Sequence, residues 1–138
     1  MKKIVTKILV WLGLFALLGC TDDSQIYVLQ EHCGRGAEQW VKSRPGEILN
    51  YRSHYNKQLN KCFVHATLSQ AISKNFYSSV DILYDVNDNE EYGRHTMHFN
   101  ELGLQSHRCF ISSKFYGKRS EGSAKQRWNE FVKEIMED

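Results

Sequence analysis

Three stretches in the middle of the chain alternate apolar and polar residues almost one for one. Leu49, Tyr51 and Tyr55 do so across 48–55, Cys62, Val64, Ala66 and Leu68 across 61–68, and Val80, Ile82, Tyr84 and Val86 across 79–86. A period of two sends alternate side chains to the same side of an extended chain, so each stretch predicts a strand with one face toward a core. Residues 56–60 suit a hairpin loop, and Val86-Asn87-Asp88-Asn89 suits a tight turn into a further strand near 91–98. A last short strand is expected over 108–112.

On either side the period changes. Cys33, Ala37, Trp40 and Val41 stand at i, i+4, i+7 and i+8, which predicts a helix over 31–44 that Pro45-Gly46 ends. Near the C-terminus, Ser123-Ala124-Lys125-Gln126 fits a capping box. Trp128, Phe131, Val132, Ile135 and Met136 then form a second apolar stripe. The expectation is an α+β domain over 31–138, an antiparallel sheet of four to five strands with the N-terminal and C-terminal helices packed on one face. A chain of 138 residues has room for one such core.

The first 19 residues do not belong to that domain. Lys2, Lys3 and Lys7 precede an unbroken run of 11 uncharged, mostly large apolar residues from Ile8 to Leu18. The run is too short for a permanent bilayer span, which needs about 20 residues, and suits a signal peptide. It ends in Leu17-Leu18-Gly19-Cys20, which resembles the lipobox of bacterial lipoproteins. The resemblance implies cleavage before Cys20 and acylation of that residue, hence a membrane anchor through N-terminal lipid. Thr21 in place of Asp after Cys20 implies the outer membrane, with the domain facing the periplasm. Residues 20–30 are expected to be the acylated Cys and its tether.

Removing the signal changes the charge. Lys+Arg falls from 18 to 15 while Asp+Glu stays at 16, so the mature chain carries a net −1. That excludes the clustered cationic excess with which a nucleic-acid binder neutralises phosphates. Charge is also uneven. Residues 81–91 carry five acids and no base, whereas 108–127 carry six bases against Glu121 alone. The basic stretch is read as solvated loop, with contact to anionic headgroups or glycan phosphates as the functional alternative.

Export permits disulfides. With Cys20 taken by lipid, Cys33, Cys62 and Cys109 remain, an odd number that leaves one thiol over. Spacing does not choose among the three pairings. Cys33 with Cys62 is preferred because both fall on core-facing positions of adjacent early elements. Cys109 would then be free, and in an extended strand His107 shares its face, which makes a thiol–imidazole pair geometrically feasible. The simpler reading is a small buried apolar residue.

Other patterns fail on inspection. Six histidines, at 32, 54, 65, 95, 98 and 107, suggest a metal. His95 and His98 stand at an odd spacing in a strand, which points them to opposite faces, and no metal-ligand motif accompanies them. Residues 85–89 begin like a calcium loop, but Glu90 and Thr96 occupy the positions that need Gly and Glu, so the segment reads as a turn. No metal and no cofactor are expected.

The most distinctive string is Ser53-His54-Tyr55-Asn56-Lys57-Gln58-Leu59-Asn60-Lys61-Cys62-Phe63. It resembles a His-Tyr-Asn-x-x-Leu-Asn-Lys-Cys-Phe motif of short uncharacterised bacterial exported proteins and lipoproteins. The resemblance covers 31–138 and implies a shared fold, with no activity attached. Some of those proteins carry a second Cys downstream of position 109, where this chain has Arg119-Ser120. Read physically, Asn56 and Asn60 cap the loop, Leu59 folds back on the core, Cys62 staples the strand, and His54 with Tyr55 form a candidate pocket lining.

These features lead to one expectation and one rival. The expectation is a monomeric envelope lipoprotein that acts as a binding or interaction module for an envelope protein or glycan. The rival is a small envelope hydrolase using His54 or the His107/Cys109 pair. A hydrolase would place that pair beside a concave pocket; a binding module would expose an apolar or charged patch.

Overall fold

The computed structural model describes residues 23–112 and 123–137. Helix α1 (Asp23–Lys42) leads into five strands, β1 (Glu47–Asn56), β2 (Lys61–Ser73), β3 (Phe76–Asp85), β4 (Glu90–Asn100) and β5 (Gly103–Ile111), and helix α2 (Ala124–Met136) closes the chain. The strands form one antiparallel sheet in sequential order, β1-β2-β3-β4-β5. The fold is α+β as the periodicity implies. The strands run longer than the alternation suggests, however, because β2 and β3 continue to a turn at Lys74-Asn75 and β4 and β5 to one at Glu101-Leu102. Gly103 enters β5 at φ +104°, a backbone conformation that favours glycine.

The helices occupy opposite faces of the sheet, not one face as expected. Ala37 and Trp40 of α1 pack on Val64, Ala66, Leu68, Val80, Ile82 and Tyr84. Trp128, Phe131, Val132, Ile135 and Met136 of α2 pack on Phe63, Leu83 and Tyr92. The even-numbered residues of β2 and β3 thus meet one helix and the odd-numbered residues the other. The cause lies toward one end of β2 and β3, where Phe63 and Val64 are both fully buried, as are Leu83 and, nearly, Tyr84. A sheet that is apolar on both sides exposes one of them unless each receives a helix.

Helix α1 begins at Asp23, eight residues before the expected start, so residues 23–30 are helical and not tether. Its sheet-facing stripe runs back through half-buried Gln30 and Ile26. Gln30 hid the stripe by being polar. Its side chain donates to the Ser53 carbonyl (3.3 Å) and accepts from the Tyr55 N–H (2.7 Å), tying the helix to β1. Asp23 also suits the positive end of the helix dipole.

Cys33 and Cys62 form a disulfide, Cα to Cα 5.3 Å, that staples α1 to β2 as preferred from their core-facing positions. Helix α2 starts as predicted. Ser123 Oγ accepts from the Gln126 N–H (3.3 Å) and Gln126 Oε1 from the Ser123 N–H (2.8 Å), which completes the capping box. The helix lies so close to β4 that a Cβ at Gly93 would stand 3.0 Å from both Trp128 and the Phe110 carbonyl. Only glycine leaves that gap.

Candidate functional site

The distinctive string at 53–63 is spent on architecture. Fully buried Asn56 accepts from the Leu59 N–H (2.8 Å) and donates to the Ile135 carbonyl (3.0 Å), so one side chain both caps the hairpin and anchors the end of α2. The Tyr55 hydroxyl donates to Asn60 Oδ1 (2.6 Å), and Asn60 adopts the left-handed region at φ +53°. Leu59, expected to fold onto the core, is instead exposed, because the hairpin tip projects past the packed sheet. His54 and Tyr55 do not form a common lining. As strand neighbours they point to opposite faces, His54 beside Phe63 and Tyr55 beside Cys62.

The aspartate-rich turn closes on a lysine. Asp85, fully buried, accepts from the Asn87 N–H (2.9 Å) and from Lys61 Nζ (2.6 Å), and Lys61 also pairs with Asp88. Asp85 first and Asp88 next hold the Lys61 ammonium far above the usual lysine range. The protein's own cation therefore occupies the place that a calcium loop would offer to an ion.

The pairing registers create a second arrangement that the sequence did not announce. Thr67 stands opposite Asp81, Asp81 opposite His95, and His95 opposite Cys109. This is an unbroken cross-strand file through β2, β3, β4 and β5, on the face that α2 covers. The Thr67 hydroxyl donates to Asp81 Oδ1 (2.7 Å), and the other carboxylate oxygen lies 3.7 Å from His95 Nδ1. The second distance is too long for a direct hydrogen bond and would be an ion pair only with His95 protonated. His95 is 1% exposed, its ring stacks over Trp128 at 6.2 Å, and its Nε2 is buried without a hydrogen-bond partner.

Burial lowers the His95 pKa, and the Asp81 carboxylate opposes the shift. His65, one row away and 6.0 Å from Trp128, is lowered for the same first reason, with Asp81 opposing and Arg52 adding to it. Burial pushes the half-buried Cys109 thiol up, and Arg127 pulls in the other direction. At neutral pH imidazole and thiol therefore both rest uncharged.

His107 and Cys109 share a face of β5 as expected, yet the residue beside Cys109 across the strands is His95, while His107 faces Met97. Sequence reasoning set His95 aside because His98 was taken as its partner. Its true neighbours lie 14 residues away in each direction and depend on register. Among the described residues no group of three or more His, Cys, Asp or Glu is placed to hold a metal ion. A shallow hollow at Ser24, Gln25, Val28 and Leu29 lies on α1, away from this file.

One end of the sheet is open and apolar. Tyr77 and Phe99 stack at 5.1 Å across β3 and β4, and Leu104 follows opposite Phe99 on β5. Tyr77 and Leu104 are about half exposed, as is Ile72 at the neighbouring turn, and Leu102 at the hairpin tip is 90% exposed. The start of α1 lies at the other end, since Gln30 bonds to Tyr55 beside the β1–β2 hairpin whereas Tyr77 and Leu104 flank the opposite turns. Half of the bases in the basic stretch, Lys114, Lys118 and Arg119, lie on 113–122, outside the described residues. Compared with family models, curated proteins and solved structures, the chain matches none of them.

Proposed function

We propose that the chain is an envelope lipoprotein, anchored through acylated Cys20, that holds a partner-binding surface at the far end of its sheet, away from the membrane and facing the periplasm. The reading draws its lipid anchor and outer-membrane address from Gly19-Cys20-Thr21. The observation that carries the rest is the polarity of the domain. Helix α1 begins three residues after Cys20, a distance that even fully extended chain spans in about 11 Å. The apolar end formed by Ile72, Tyr77, Leu102 and Leu104 lies at the opposite end of the strands. No described helix is long and apolar enough to cross a membrane.

Apolar side chains held away from the bilayer surface meet another macromolecule, and their chemistry favours a protein. Three of the four are aliphatic and surround a stacked aromatic pair. An apolar patch around aromatics resembles the buried core of a protein interface, which is more apolar than the remaining surface and enriched in aromatics. A glycan platform would instead need polar donors and acceptors beside its aromatics.

A photo-crosslinking residue at Tyr77 tests the reading in native envelope, with Gln39 on exposed α1 as control. The expected result is a discrete protein adduct from position 77 alone, lost when Leu104→Asp is added. Adducts equally abundant from both positions, or an adduct removed by glycan digestion, would refute a protein partner. Mass spectrometry of the mature N-terminus tests the anchor separately: acylated Cys20 is expected, and intact Met1 would overturn it.

A further inference from the structure

Packing accounts for part of the file through Asp81, His95 and Cys109, since His95 stacks on Trp128 and Cys109 packs against the α2 core, but not for its polar groups. A polar row beneath a helix costs stability unless every member is satisfied, and His95 Nε2 has no hydrogen-bond partner. Directly opposed residues of one sheet face stand about 4.5–5.5 Å apart at Cβ. The register thus sets the imidazole and the thiol side by side on one face. Cys109 itself is half-buried on the edge strand and free of any disulfide. The row therefore contains a carboxylate held by a hydroxyl, an imidazole held beside the carboxylate, and a thiol beside the imidazole.

We propose that Cys109 is a reactive thiol that exchanges with disulfides, with His95 as its general base and Asp81 as the residue that positions His95. The Cys109 Sγ–H proton passes to His95 Nε2 as Sγ attacks one sulfur of the incoming disulfide. The new Sγ–S bond forms as the old S–S bond breaks, the departing sulfur leaves as thiolate, and the imidazolium beside Asp81 returns the proton to water. One disulfide is consumed and one formed, so no further oxidant is required. The product is a mixed disulfide on β5. Because thiol and imidazole both rest uncharged, proton removal accompanies attack and does not precede it as in a preformed thiolate–imidazolium pair. The groups that face the pair are Asp81 from β3, His107 from β5, and Lys125 and Arg127 from α2. This proposal stands whether or not the apolar end meets a protein.

The test uses the full chain in detergent, without reductant, and a chromogenic aromatic disulfide (dithiobis-nitrobenzoate) as the probe. Cys109→Ser measures the contribution of any other thiol, which is subtracted. General-base assistance makes the Cys109 rate change less than about three-fold between about pH 7 and about pH 8.5. An unassisted thiol reacting only as thiolate gains roughly 15-fold over that interval at an ordinary pKa and roughly 30-fold at a raised one. His95→Gln should restore the steep dependence, Asp81→Asn should lower the flat rate several-fold, and His107→Gln should leave it within about two-fold. The wild-type profile is decisive alone should His95→Gln not fold. A steep wild-type profile would overturn the proposal, as would a flat one abolished by His107→Gln and kept by His95→Gln.

Discussion

The two faces of the sheet are built on different terms. The face under α1 is apolar from Val64 to Leu68 and from Val80 to Tyr84, and a disulfide ties its helix to its strand. The face under α2 is apolar only toward one end, at Phe63, Leu83 and Tyr92; beyond that lie Thr67, Asp81, His65 and His95, with the stacked Tyr77–Phe99 pair further on. A covalently closed, apolar face spends its residues on cohesion. The face without a covalent tie carries the buried histidines, the free thiol and the open apolar end. The difference teaches where chemistry can sit: on the side that stability does not already occupy.

Three changes would break or sharpen that contrast. The largest effect is expected from Trp128→Ala, which removes the side chain joining α2 to Gly93, His65 and His95. A loss of about 3–5 kcal/mol in urea unfolding is expected. A loss below about 1 kcal/mol would mean that the α2 face is not held by this packing. Next comes the double change Cys33→Ala with Cys62→Ala. Opening a closure with a sequence separation of 29 should cost about 3–4 kcal/mol on the chain-entropy account. The mutant should nonetheless keep the wild-type Cys109 reactivity, because the staple and the file lie on opposite faces; coupled loss of both would erase the distinction.

The smallest effect is a pH dependence that belongs to the α2 face. Burial lowers the folded-state pKa of His65 and His95 from 6.5, so below that value the unfolded chain binds more protons than the folded one. Stability is therefore fully present above pH 6.5 and is lost as pH falls toward the folded values. The urea midpoint should decline on acidification below 6.5, and His65→Gln should flatten part of that slope. An unchanged slope in that variant would mean that groups elsewhere drive acid sensitivity.

Much of the fold was legible because local physics repeats along the chain. Alternation marked β2 and β3, the stripe from Trp128 to Met136 marked α2, and Ser123 with Gln126 marked its start. Other features were hidden by single residues. Gln30 interrupted the stripe of α1 and concealed two helical turns, although its hydrogen bonds to β1 make it as much a contact residue as a leucine would be. The burial of both faces was present in the adjacent apolar residues Phe63-Val64 and Leu83-Tyr84, but an alternation template counts only one face at a time.

The candidate site was less legible. Cys109 and His107 were visible as residues two apart in a strand, whereas the partnership of Cys109 with His95 depends on how β4 and β5 slide past each other. That register includes an irregularity between His98 and Phe99. A shift of one residue would have turned Cys109 and its neighbours to opposite faces.

The sequence by itself determined the element types, the α2 cap and the cysteine arithmetic, because each depends on neighbours within a few residues or on counting. Tertiary structure decided which face each helix covers, and that Thr67, Asp81, His95 and Cys109 form one line. Those outcomes depend on strand register and on the balance of apolar area between two faces. Both are properties of contacts between distant parts of the chain, which no local pattern encodes.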